Sequence, residues 1–187
     1  MTRHRLVFAA MLLGFVTGHR GLAAGQKEKP VKELKEQITE DYDSKTHGAV
    51  QVKSVTAKSN DWFMVFQKGK QLVPPGKPLL DTTVKLAPGT YVARVNGTER
   101  KVKIDAGKKT ILLTGELIVE AKKGTPGWYI PFQGKERRLA SNPPILNSPI
   151  ALFAGKYTVV WYEGGVGKRE DLGQPEIKAG QRTVLKK

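Results

Sequence analysis

The 187-residue chain repeats itself, and the repeat constrains its fold more than any other feature. A shift of 66 positions places Trp62 on Trp128, Phe66-Gln67 on Phe132-Gln133, Pro78 on Pro144 and Leu80 on Leu146. The same shift places Leu86 on Leu152, Gly89 on Gly155 and Tyr91 on Tyr157 without a gap. Coincidence of Trp, Pro, Gly and Tyr at one constant offset marks a duplicated structural unit, so whatever fold one copy adopts the other adopts as well. Beyond the two tyrosines the offset grows to 73, where Ala106-Gly107-Lys108-Lys109-Thr110 meets Ala179-Gly180-Gln181-Arg182-Thr183. The second copy therefore holds an insertion around Gly164-Gly165-Val166-Gly167, which reads as a longer hairpin.

The copies span residues 49–114 and 115–187. Each has room for seven short strands but is near the size at which a lone unit struggles to bury enough apolar surface, so the two are expected to pack together. The texture within them is β-rich. Val50 to Val55, Trp62 to Phe66, Tyr91 to Val95, Val102 to Ile104 and Thr110 to Leu113 are short runs of β-branched and aromatic residues, most of them alternating. Lys68-Gly69-Lys70, Pro74-Pro75-Gly76, Pro88-Gly89, Asn96-Gly97 and Ala106-Gly107 punctuate them as turns.

Both copies contain Leu-x-x-Gly-x-Tyr, as Leu86, Gly89, Tyr91 and as Leu152, Gly155, Tyr157. In Greek-key sandwiches a Tyr early in a late strand turns its ring inward while its hydroxyl bonds the backbone of the preceding corner. Tyr91 and Tyr157 read as such corner locks, Gly89 and Gly155 as residues that free the corner backbone, and Trp62 and Trp128 as large rings filling the space between sheets. The expected fold is all-β, with two tandem Ig-like, Greek-key β-sandwiches.

The segments Leu86-Ala87-Pro88-Gly89-Thr90-Tyr91-Val92 with Ala106 to Thr110, and Leu152-Phe153-Ala154-Gly155-Lys156-Tyr157 with Ala179 to Thr183, resemble the bacterial Ig-like modules of the PEGA and carboxypeptidase-regulatory-like groups. The resemblance covers the C-terminal half of each copy. It implies a non-catalytic, extracytoplasmic module of envelope or secreted proteins.

Ahead of the repeats, Arg3, His4 and Arg5 precede an apolar run from Leu6 to Val16, and Gly21-Leu22-Ala23-Ala24 follows it. That order is a signal peptide over residues 1–24, since eleven apolar positions rise only about 16 Å as a helix against a bilayer core of roughly 30 Å. No later segment is apolar for long enough to span, so an exported protein, periplasmic or extracellular, is expected. Residues 25–48 are polar and charged. Val31, Leu34 and Ile38 form one narrow helical stripe there, so the segment reads as a charged linker or a short helix.

Chemistry is sparse. The absence of cysteine removes disulfides, thiolate zinc ligands and a Cys nucleophile. His47 is the one histidine beyond the signal segment, and no Gly-x-Ser-x-Gly elbow accompanies it. Gly165-Val166-Gly167-Lys168-Arg169 has Tyr162 where a phosphate loop needs its first Gly and Arg169 where it needs Ser or Thr. Asp41-Tyr42-Asp43 places Lys45 at what would be a calcium ligand position. The carboxylate pairs Glu116/Glu120 and Glu170/Asp171 sit beside Lys or Arg and read as solvated charge. The expectation is no enzyme, no metal and no cofactor.

The remaining feature is charge. The net formal charge is +15, and the excess is carried by the β units while the linker is nearly neutral. With Val102 and Ile104 facing the core, period-two alternation sends Lys101 and Lys103 outward, and Lys108 and Lys109 occupy the adjoining turn. The primary reading is a structural or protein-interaction module with an envelope or secreted protein partner. The alternative is a polyanion-binding protein that holds an acidic glycan, lipid headgroup or nucleic acid through Lys101, Lys103, Lys108 and Lys109. Counting alternation from Tyr157 faces Val159 and Trp161 inward and Val160 and Tyr162 outward.

Overall fold

The computed structural model describes residues 35–54, 61–72, 78–137, 143–164 and 167–187. Residues 1–24, expected to be a signal peptide, and the turn expected at Pro74-Pro75-Gly76 lie outside them. Among the described residues the chain is all-β.

The first copy runs through β2 (Gly48–Lys53), β3 (Phe63–Gln67), β4 (Lys70–Gln71), β5 (Thr83–Leu86), β6 (Gly89–Val95), β7 (Thr98–Ile104) and the start of β8 (Lys108–Glu120), after a preceding strand β1 (Gln37–Asp41). The second continues along β8 into β9 (Trp128–Gln133), β10 (Glu136–Arg137), β11 (Ile150–Phe153), β12 (Gly155–Lys156), β13 (Thr158–Tyr162), β14 (Arg169–Asp171), β15 (Glu176–Ile177) and β16 (Arg182–Lys186). Each copy builds the same two sheets. In the first, β8-β2-β5 opposes β4-β3-β6-β7; in the second, β16-β8-β11 opposes β10-β9-β13-β14. The first and last strands of each copy run parallel, as β2 with β8 and β8 with β16, while the other named pairs are antiparallel.

Alternation explains the cores. Val50, Val52 and Leu112 from one sheet meet Phe63, Val65, Ala93, Val95 and Val102 from the other. In the second copy Leu117 and Val119 meet Tyr129, Val159 and Trp161. Burying such side chains stabilises each by about 1.5–3 kcal/mol.

The 13-residue β8 is the last strand of the first copy and the first strand of the second. Leu112 packs in one core and Leu117 in the other. The two positions differ in parity, so the cores sit on opposite faces of one continuous strand. β11 repeats the arrangement, with Ile150 and Leu152 in the second core and Ala151 and Phe153 in the first. Its outer edge is closed by side chains of the first copy. Asp61 Oδ2 accepts from the Ala151 N–H at 2.7 Å, Asn96 Nδ2 donates to the Ala151 carbonyl at 3.0 Å, and Thr98 Oγ1 accepts from the Phe153 N–H at 3.1 Å. Arg100 donates to the Ala154 carbonyl at 3.2 Å with its guanidinium 5.8 Å from the Phe153 ring centre. These contacts hold the copies as one body, and they satisfy backbone groups that burial would otherwise leave unpaired.

Two glycines make the parallel entry possible. A β-carbon on Gly48 would lie 2.3 Å from the Asp105 carbonyl oxygen, and one on Gly115 would lie 2.3 Å from that of Lys178. The matching clash in both copies shows the duplication at the level of single atoms. The hairpin between β6 and β7 turns at Asn96 and Gly97, with φ of 43° and 77°, as the Asn-Gly pair predicts.

The corner tyrosines stand as expected. The Tyr91 hydroxyl donates to the Ala87 carbonyl and the Tyr157 hydroxyl to the Phe153 carbonyl, both at 2.7 Å, and both rings are buried. Gly89 and Gly155 also stand as expected, with φ of 159° and 158° that a residue bearing a β-carbon rarely adopts, and a β-carbon on Gly89 would also approach Gln67 Nε2 to 3.1 Å. Two expectations are corrected. Trp62 and Trp128 are half-buried and belong to neither core; Phe63 and Tyr129, one residue on, take the interior positions, because Trp62 and Trp128 bridge to Leu79 and Ile145 at the sheet margin. The described part of the 25–48 segment holds strand β1 instead of a helix. The β-branched pair Ile38-Thr39 lies against Ile111 and Thr110 of β8, and a sheet edge outweighs a single helical stripe.

Candidate interaction surface

The outward face of the second copy's four-stranded sheet carries a shallow depression of about 360 Å³, lined by Phe132, Thr158, Val160, Tyr162, Arg169 and Asp171. Alternation positions it. With Val159 and Trp161 committed to the core, Val160 and Tyr162 of β13 point away, beside Phe132 of β9 and Arg169 and Asp171 of β14. Trp128 and Tyr162 are cross-strand partners whose rings lie 6.3 Å apart at 12°, extending the aromatic surface past the depression.

The first copy has a corresponding depression of about 290 Å³ bordered by Phe66, Val92, Arg94 and Glu99. There the Arg94 guanidinium lies 4.6 Å over the Phe66 ring and is ion-paired with Glu99. At the matching position the second copy has Val160, which replaces an ion-paired cap with a short apolar side chain. Asn96, spent on the Ala151 carbonyl, stands where the second copy has Tyr162. The two copies thus differ at these two positions, one surface being capped and the other aromatic.

The four lysines of the polyanion reading share one hairpin region but carry little unbalanced charge. Lys101 and Lys103 are exposed on β7, while Val102 and Ile104 are buried, as alternation requires. Lys103 pairs with Asp105 at 3.0 Å, Lys108 with Asp41 at 2.6 Å and Lys109 with Glu40 at 2.8 Å. The hydrogen bonds from Lys109 and Lys108 hold the Glu40 and Asp41 carboxyls below their ordinary range. Three of the four cations are thus locally offset, two of them by β1, which the sequence pattern left as linker or helix. Glu36 of the same segment pairs with Arg100 at 2.9 Å.

Tyr162 was legible in the sequence as an outward residue, but its association with Phe132, Val160 and Arg169 required the register of β9, β13 and β14. The signal available in the sequence was the break in the repeat itself, Arg94 against Val160 and Asn96 against Tyr162.

No family model matches the chain, and no curated protein matches it. Among solved structures, it is similar to the Bacillus anthracis TIE protein at 16% identity, over 76% of this chain and 33% of that one, with a TM-score of 0.29. It is also similar to a leucine-rich repeat protein from Bacteroides thetaiotaomicron at 12% identity, over 76% of this chain and 26% of that one, with a TM-score of 0.24. The chain thus spans a third or less of the length of these proteins.

Proposed function

We propose that this is an exported, non-catalytic protein-interaction module, built from two Ig-like units of the PEGA or carboxypeptidase-regulatory-like kind, that serves a bacterial envelope or secreted assembly. The observation that carries the reading is the aromatic depression at Phe132, Val160 and Tyr162, held on a body whose two copies share β8 and β11. A preformed surface of this kind binds without paying for loop ordering, and its Tyr and Trp bring large contact area with few rotatable bonds. The order of charged, apolar and small residues before Ala24 supports export. The polyanion alternative draws on Lys101 and Lys103, side by side on the outward face of β7.

The deciding experiment places a photo-crosslinking residue at Val160 or at Lys101 in the chain expressed in its host. Protein adducts from position 160 that persist in high salt support the interaction module. Adducts absent at position 160, together with retention on an anionic matrix lost steeply between about 50 and 200 mM salt, favour the polyanion reading instead.

A further inference from the structure

Among the described residues, one sheet edge of the second copy has no strand like the one that covers its counterpart in the first. In the first copy β1 lies antiparallel along β8: the Leu113 N–H donates to the Glu36 carbonyl and the Tyr42 N–H to the Gly107 carbonyl, each at 2.9 Å. Backbone alternation therefore points Lys109, Ile111 and Leu113 toward β1. With the offset of 73, the same positions in the second copy are Arg182, Val184 and Lys186 of β16. The inner side of β16 is bonded to β8, with the Glu116 N–H donating to the Gln181 carbonyl at 2.9 Å and the Lys187 N–H to the Glu120 carbonyl at 2.8 Å. By the same alternation, the N–H and C=O groups of Arg182, Val184 and Lys186 face away from β8, where no strand pairs among the described residues. Val184 is 43% exposed.

We propose that the outer edge of β16 is a strand-acceptor site, on a different face from the aromatic depression, that takes an extended segment of a partner protein patterned acidic-x-apolar-x-acidic as an added antiparallel strand. The pattern follows from β1. Its Glu36, Ile38 and Glu40 lie beside Leu113, Ile111 and Lys109. Carried onto β16, the same residues would lie beside Lys186, Val184 and Arg182, so both carboxylates meet cations and the apolar side chain covers Val184. The match to β16 is closer in charge than the match β1 makes with its own β8. Two copies of this chain joined edge to edge through β16 would set Arg182 against Lys186 when centred on Val184, a like-charge contact that opposes it. A second copy's β1 would leave its own β8 bare, since each chain has two such edges and one β1. An external strand fills the edge without uncovering another, with main-chain bonds giving affinity and alternate side chains specificity.

The test uses the full chain and a synthetic peptide of residues 35–43, which carries the pattern. The expected result is one-to-one binding that slows amide exchange at Arg182, Val184 and Lys186. Val184→Pro removes only an outward-facing N–H, which an edge strand tolerates, and is expected to weaken binding by about tenfold or more with folding retained. Lys186→Glu leaves the backbone intact and is expected to weaken binding as well, so the proposal stays testable if the proline variant does not fold. Protection that appears only at Lys109, Ile111 and Leu113, from peptide displacing β1, overturns the proposal, as does binding that neither substitution changes. Self-association lost in Val184→Pro, without peptide binding, overturns the choice of occupant.

Discussion

Glu116 Oε2 accepts a hydrogen bond from Arg182 Nε at 2.8 Å, joining the first and last strands of the second copy where they lie directly opposite. Glu116 is 1% exposed, whereas the Arg182 side chain keeps much of its water. In the first copy the corresponding cross-strand pair is Ala49 with Lys109, so the buried carboxylate is particular to the second copy. Removing the cation takes a charge-assisted hydrogen bond from a buried carboxylate, which costs more than the pair itself contributes. Arg182→Met is expected to destabilise by about 1–3 kcal/mol, scaled down from a fully buried pair because Arg182 is part-exposed. Adding Glu116→Gln to Arg182→Met should recover part of that loss. Urea midpoints at constant slope provide the measurement, and equal losses for the single and double variants would contradict it.

Tyr129 provides a spectroscopic check on the second core. Its hydroxyl donates within reach of two carbonyls, Ser148 at 2.6 Å and Leu117 at 3.1 Å, and its ring is fully buried. Burial, with smaller contributions from the charges of Asp61 and Glu116, pushes its phenol well above the ordinary value of 10.0. The folded state therefore holds this proton after the unfolded chain has released it. The stabilisation is complete below pH about 10 and is lost progressively above it. Alkaline difference spectra should show phenol ionisation that occurs only as the protein unfolds, and Tyr129→Phe should lower the amplitude of that step. Loss of the hydroxyl should also cost about 1–2 kcal/mol, since it leaves buried carbonyls with fewer donors.

The repeat, the strand texture and the corner tyrosines were legible because each is local: alternation has a period of two, and Leu-x-x-Gly-x-Tyr fits within one corner. What the sequence hid depends on pairing. Nothing in Ile38-Thr39-Glu40-Asp41 states that β8 has an unoccupied edge, so a weak helical stripe competed with a strand signal of equal length. Trp62 and Trp128 were assigned to the core by size, but Phe63 and Tyr129 share the parity of Val65 and of Pro131, and Val65 is a core residue. The fused strand was foreshadowed only by the short Thr114-Gly115-Glu116 connection. That its two halves face different cores follows from counting five residues from Leu112 to Leu117 once both cores are known.

β1 is held to β8 partly by exposed ion pairs, so its attachment should depend on pH. Glu40 and Asp41 have carboxyl pKa values depressed by Lys109 and Lys108. Their contribution is present above the ordinary carboxylate range and is lost as pH falls through the lowered folded values. Carbon NMR of the carboxyl groups should place both titrations below the ordinary values of 4.5 and 3.8. Lys109→Met should return Glu40 toward its ordinary value while leaving Asp41 low. Salt should weaken both effects, because the carboxylates lie at the surface. Unchanged titration of Glu40 in that variant would remove the ion pair from the account of how β1 stays attached.

Phe153 tests whether the two copies are one folding unit. It sits on a strand of the second copy, packs in the first core, receives Arg100 against its ring, and accepts the Tyr157 hydroxyl on its carbonyl. Its side chain and N–H thus serve the first copy, and its carbonyl serves the second. Phe153→Ala opens a cavity in the first core and leaves the Tyr157 bond in place, at a cost of about 3–5 kcal/mol. If the copies are independent, calorimetry of this variant should show the first copy melting early and the second unchanged. The shared β8 and the bonds from Asp61, Asn96 and Thr98 to the β11 edge predict otherwise, because neither copy keeps its edge satisfied when the other opens. A single transition is expected, displaced as a whole to lower temperature, with calorimetric and van't Hoff enthalpies still in agreement. Asn96→Ala, which removes the donor to the Ala151 carbonyl and places alanine at a φ of 43°, should move the same transition by a smaller amount, about 1–2 kcal/mol. A split endotherm in either variant would show that the strand is continuous while the stability is not.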